Sequence, residues 1–153
     1  VAIQILNQQV TFKFKNINLI TKVIDGKFPD YHRVIPQGYE NGFLINRQSL
    51  LSAMQRASIL SNEKYRGIRL VISENNMKLI TTNSEQEEAQ EDIEVIYNNE
   101  QIDIGFNVTY LIDVLSNIQY EQLNFLFKDS NSSCLVTIPN NDDYKYVVMP
   151  MRI

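Results

Sequence analysis

Phe43-Leu44-Ile45-Asn46-Arg47-Gln48-Ser49-Leu50-Leu51-Ser52-Ala53-Met54 is a short apolar strand, an asparagine and the start of an amphipathic helix. Ile104-Gly105-Phe106-Asn107-Val108-Thr109-Tyr110-Leu111-Ile112-Asp113-Val114-Leu115 repeats that order further along the chain. Asn46 aligns with Asn107, Leu50 with Leu111, Leu51 with Ile112 and Met54 with Leu115. Asparagine suits the position before a helix, where its side chain accepts hydrogen bonds from the first free amides. Leu50, Met54 and Ala57 form one apolar stripe, as do Leu111, Leu115 and Ile118. Each helix therefore needs a sheet beneath it.

The strands that follow also correspond. Arg69–Ser73 leads through Glu74-Asn75-Asn76 into Met77–Ile80, a hairpin with an asparagine-rich turn. Asn124–Lys128 leads through Asp129-Ser130-Asn131 into Ser133–Val136. A third strand closes each unit, around Ile93–Tyr97 and then at Tyr144–Val148, with Asp142-Asp143 read as a turn. The predicted fold class is α+β: two β-α-β-β-β units with two helices on one face of antiparallel sheets. Upstream, Val1 to Lys22 reads as short strands with a turn at Asn7-Gln8-Gln9. Pro36-Gln37-Gly38 marks the expected boundary, dividing the chain into residues 1–36 and 37–153. Val1 lies inside a strand-like run, which reads as a fragment of a longer polypeptide, although proteolytic processing gives the same start.

With 44% hydrophobic and 21% charged residues, the composition is that of a soluble globular protein. No stretch approaches the ~20 apolar residues of a membrane helix. A single cysteine, Cys134, excludes an internal disulfide, and with no signal peptide in view the expected setting is the reducing cytoplasm. The net charge of -4 argues against tight phosphate neutralisation by the chain as a whole. The one histidine, His32, and Cys134 fall in different predicted domains, so a Cys–His nucleophilic pair is disfavoured. No metal-ligand spacing or phosphate-binding loop occurs, and the expectation is a non-enzyme without metal or cofactor.

Three other stretches carry alternative readings. Tyr144–Ile153 runs from a strand into Met149-Pro150-Met151-Arg152, adaptable apolar groups that either close a core or wall a peptide groove. Glu85–Glu94 has no basic residue; it is either a solvated loop and an edge strand guarded by charge or a docking face for a basic partner. Ile59 and Leu60 beside it are either an apolar anchor or the last core residues of the first helix. Lys64, Arg66 and Arg69, with Arg56, are either plain surface charges or a weak phosphate-facing patch.

Five segments resemble the bacterial sliding-clamp family, the β subunit of DNA polymerase III, in its C-terminal part. They are Asp25–Tyr31, Ile59–Gly67, Glu85–Ala89, Ile104–Val108 and Tyr146–Arg152. They span almost the whole chain in one order. The resemblance implies residues 1–36 as the end of the second of three similar domains and 37–153 as the complete third. It also implies a head-to-tail homodimeric ring around duplex DNA that tethers DNA polymerase and clamp-loader subunits through short peptide motifs such as Gln-x-x-Leu-Phe, with no membrane partner. A ring that holds DNA topologically reconciles an acidic chain with a DNA partner.

Carried over by position, the peptide pocket comprises Pro29, Arg33, Val34, Tyr110, Asn131, Ser133, Val147, Met149, Pro150, Met151 and Arg152. The dimer interface comprises Ile59, Leu60, Glu85, Glu87, Glu88 and Glu91, with Gln90 where the family commonly has an acid. Arg56, Lys64, Arg66 and Arg69 are the weak DNA-facing set. Lacking the earlier domains, this chain alone is expected to bind peptide weakly and to close no ring. The alternative is a stand-alone peptide-binding adaptor without a DNA role. A hydrolase using Cys134 is the third and least supported class.

Overall fold

A computed structural model describes residues 1–39 and 41–153. The chain divides into two compact units, Val1–Tyr31 and His32–Ile153. The first is an antiparallel meander of β1 (Ala2–Leu6), β2 (Gln9–Phe14) and β3 (Ile17–Lys22), in that order across the sheet. Its apolar side chains, among them Ile3, Ile5, Phe14, Leu19 and Ile20, stand in solvent, and Thr11 is the one residue of the sheet that is buried.

The second unit holds β4 (Asn41–Asn46), α1 (Arg47–Ala57), β5 (Gly67–Ser73), β6 (Asn76–Thr82), β7 (Glu88–Glu94), β8 (Ile102–Asn107), α2 (Val108–Asn117), β9 (Gln122–Phe127), β10 (Cys134–Ile138) and β11 (Asn141–Val148). Both asparagine caps form. Asn46 Oδ1 accepts from the Ser49 amide at 3.0 Å and Asn107 Oδ1 from the Thr109 amide at 2.9 Å. Such a cap contributes about 1 kcal/mol.

The repeat does not say which sheet each leading strand joins, and here the structure adds something. The two four-stranded sheets run β7-β6-β5-β8 and β11-β10-β9-β4. Each unit's first strand thus lies in the other unit's sheet: β4 pairs with β9, and β8 with β5, all antiparallel. The cause is local. Each leading strand runs into its helix with no intervening loop, so the helix carries the chain across to the opposite sheet. α1 accordingly packs on β4, β6 and β7, α2 on β8 and β11, and the helices on one another.

Alternation then builds the core. Ile68, Leu70 and Ile72 of β5, Met77 and Leu79 of β6, and Ile104 and Phe106 of β8 are buried. In the other sheet Phe43, Phe125 and Phe127 stack, with the first two rings 5.1 Å apart and 8° from parallel. Leu50, Met54, Leu111 and Leu115 close over both sheets from the helices.

Two expected strands shift. The closing strand of the first unit is Glu88–Glu94, not Ile93–Tyr97, because its backbone pairs with all of β6 while Glu88, Gln90, Asp92 and Glu94 alternate outward. Past it, Val95 and Tyr97 turn into the core, held by hydrogen bonds to the Asn75 backbone, and Ile96 forms a two-way bridge with Leu44. Asp142 and Asp143 belong to β11, which starts at Asn141; the turn is Pro139-Asn140, with Asn140 in the left-handed region at φ +60°.

Candidate functional site

Leaving β11, the chain from Met149 to Ile153 crosses to the face of β5 and β8 that points away from the helices. That face is set by alternation: Ile68, Leu70, Ile104 and Phe106 are buried, so Gly67, Arg69, Asp103 and Gly105 point outward. The Met151 amide donates to the Gly105 carbonyl at 2.8 Å. Ser133 Oγ donates to Met149 Sδ at 2.9 Å, tying the start of the tail to β10's approach. On one side Met151, Arg152 and Ile153 border a cleft with Asn131, Ser130, Gly105, Arg69 and Asp103. On the other they border a groove of about 860 Å³ that also takes in Tyr65, Ile80, Thr82 and Glu88.

The structure brings together Asn131, Ser133, Met149, Met151 and Arg152 of the expected pocket. Val147 faces away from the helices beside Leu135, and Leu126 stands next to Leu135 on the same face. Leu126 and Leu135 extend that apolar strip and were not read from the sequence, where they pass as ordinary strand residues. Pro150 is half-buried, whereas Tyr110, in the first turn of α2, is 60% exposed. Arg33 ends the short 3-10 turn Tyr31–Arg33, and Val34 after it is half exposed. Pro29 is an exposed residue of the first unit.

The acidic stretch occupies a sheet edge. β7 is the outermost strand, with Glu88, Gln90, Asp92 and Glu94 outward and Ala89, Glu91 and Ile93 toward the helix layer. Asn83 Oδ1 accepts from the amides of Glu85 and Glu87, and its Nδ2 donates to Glu87, so this loop presents its carboxylates in a fixed arrangement. Ile59 is 78% exposed in the 3-10 turn Ser58–Leu60, while Leu60 is half-buried.

The four basic residues do not form one patch. Arg56 lies on the helix side and clasps Glu91 through two 2.6 Å hydrogen bonds. Arg69 lies on the opposite face and binds both carboxylate oxygens of Asp103. Lys64 and Arg66 sit in the loop between, with the Lys64 ammonium 5.3 Å from the centre of the Tyr65 ring. Alternation along β5 separates Arg69 from Arg56, a fact hidden in a count of nearby charges.

Those two ion pairs give the fold an acid limb. Hydrogen bonds from Arg56 hold Glu91 below its ordinary 4.5, and those from Arg69 hold Asp103 below 3.8. Carboxylates with lowered folded values stabilise the fold above their unfolded values, and that contribution is lost as pH falls through the folded ones. Stability should therefore be level near neutrality and decline below about pH 4.5. Urea titrations of Arg56→Met and Arg69→Met against pH should show a flatter decline than the parent; an unchanged slope would remove these pairs as its source. The gain is small because both arginines are well exposed.

Cys134 is fully buried in β10, and burial pushes its thiol well above the usual range, which keeps it protonated and non-nucleophilic. Among the described residues, no helix is long and apolar enough to cross a membrane.

Residues 32–152 match the family described as DNA polymerase III beta subunit, C-terminal domain. The chain belongs to this family. Clamp relatives agree along nearly its whole length. The beta sliding clamp of Pseudomonas aeruginosa is 54% identical over 133 residues, covering 87% of this chain and 36% of that protein. That of Vibrio cholerae is 39% identical over all 153 residues, 42% of its own length. A crystal structure of the P. aeruginosa sliding clamp with ligand superposes with a TM-score of 0.87 at 48% identity, covering 99% of this chain and 41% of that one. A Bartonella birtlesii clamp bound to griselimycin gives 0.88 at 32% identity, over 99% of this chain and 41% of its own. The chain thus spans about two fifths of the length of the clamps it matches.

Proposed function

We propose that this chain is the carboxy-terminal part of a sliding clamp, a non-enzymatic processivity factor of DNA replication. In the whole protein, residues 1–36 end the second domain and 37–153 form the third. Two subunits close head to tail around duplex DNA, and polymerase and clamp-loader subunits dock through short peptides. The observation that carries this reading is the tail: Met149 and Met151 are fixed at the lip of β10 and β8 rather than sealed in the core. Apolar peptide side chains would bury against Val34, Val147, Pro150 and the methionines, while Asn131, Ser133 and Arg152 set register. Arg33 and Tyr110 complete the proposed pocket.

The proposed subunit interface is the open edge of β7 with Ile59 and Leu60. An unpaired strand edge invites another chain, and acidic side chains restrict it to a basic partner. Glu85, Glu87 and Glu88 would supply those charges, and Glu91, paired with Arg56, would act through it. Lys64 and Arg66 are the remaining phosphate-facing candidates, alongside Arg56. Arg69, the fourth of the proposed set, lies on the opposite face from Arg56 and pairs with Asp103.

A fluorescence-anisotropy titration with a labelled Gln-Leu-x-Leu-Phe peptide tests the pocket. Saturable binding is expected, weakened about tenfold by Met151→Ala, a loss of roughly 1.4 kcal/mol. Equal affinity in a folded Met151→Ala protein would remove the tail from the site.

A further inference from the structure

We infer that Gly105 is a positioning residue for the tail: by lacking a side chain it seats Met151–Ile153 against β8 and so holds the methionines at the groove. The internal repeat makes the case. Gly105 occupies in the second unit the place that Leu44 occupies in the first, two residues before the capping asparagine. Leu44 makes a two-way backbone bridge with Ile96, just past the end of β7. Gly105 receives the matching hydrogen bond from Met151, just past the end of β11, at 2.8 Å. The two copies share this one hydrogen bond, from the residue past the last strand to the carbonyl of the leading strand, and differ in the side chain.

The difference has a steric consequence. A Cβ built on Gly105 would stand 2.6 Å from the Met151 carbonyl oxygen and 2.6 Å from both Cδ1 and Cγ1 of Ile153. The side chain of Ile153 could swing aside, but the Met151 carbonyl is backbone and moves only with the tail. Gly105 has no left-handed φ, so its conformation suits any residue and space alone demands glycine. Gly67, diagonal to it on β5, widens the same seat, yet a Cβ there would meet Ile153 at an ordinary 3.4 Å. The bidentate Arg69–Asp103 pair flanks the seat on the same face. Ile153 is thus a peg over two glycines, and only Gly105 is indispensable.

The inference rests on the peptide-pocket reading, and two readouts separate them. Methionine ε-methyl NMR follows the seat directly: Met54 and Met77 are buried core reporters, while Met149 and Met151 report the tail. Gly105→Ala should shift the Met149 and Met151 signals, leave Met54 and Met77 in place, and weaken the Gln-Leu-x-Leu-Phe peptide about tenfold. Gly67→Ala should leave signals and affinity near those of the parent. Unmoved tail methyls in folded Gly105→Ala would overturn the seat. Displaced methyls with undiminished peptide affinity would uphold the seat and sink the pocket reading.

Discussion

Replacing Phe125 by alanine is expected to lower the unfolding free energy by about 3–5 kcal/mol, the range for emptying a packed aromatic site. Phe125 is fully buried on β9, and its ring stacks on that of Phe43, its cross-strand neighbour on β4. The loss has two parts, the transfer of the ring out of an apolar setting and the cavity its neighbours fail to fill. Phe43 belongs to the exchanged strand β4, so the same truncation loosens the seam joining the two repeats. Urea denaturation followed by circular dichroism would measure it, with Phe43→Leu and the double variant completing a cycle. Strict additivity of the two changes would mean that the stacked pair does not hold β4 in place.

Cutting the chain between the repeats should be more severe still. Asn98, Asn99 and Glu100 are exposed and lie between β7 and β8. A protease site placed there would let the folded protein be nicked, the halves parted in denaturant and each refolded alone. The first half keeps β5-β6-β7 but leaves β4 without β9; the second keeps β9-β10-β11 but leaves β8 without β5. Each half then exposes a strand edge and half of the shared helix layer, and neither is expected to fold. Mixing them should restore the helical signal and cooperative unfolding. Two halves that fold separately would contradict the strand exchange.

The caps and stripes of α1 and α2 were legible because they are local: one asparagine and an apolar period of three to four residues suffice. So were the hairpins, through turns such as Glu74-Asn75, where Asn75 takes φ +53°. The exchange of β4 and β8 was not, since similar repeats are consistent with either pairing and only the direction in which each helix carries the chain decides. The closing strand was expected around the apolar Ile93–Tyr97, whereas the backbone follows the edge-strand reading of the acidic stretch, since a strand with one solvated face accepts charged residues. At the candidate site, Met149 and Met151 were legible as adaptable apolar groups after a strand, and Ser133 only through the family resemblance. The role of Gly105 was not, because a glycine's function here is the space it leaves for residues far along the chain.

The strand exchange also imposes an order in time. A ribosome adds about 5–20 residues per second, so vectorial synthesis exposes β4 for several seconds before β9 exists. Strand β8, by contrast, emerges to find β5 already made and hairpinned to β6. The sheet carrying the acidic edge is therefore expected to assemble first on the nascent chain. Meanwhile Phe43 and Ile45 wait with an unpaired strand edge, which makes residues 41–46 the segment a holding chaperone would be expected to shield.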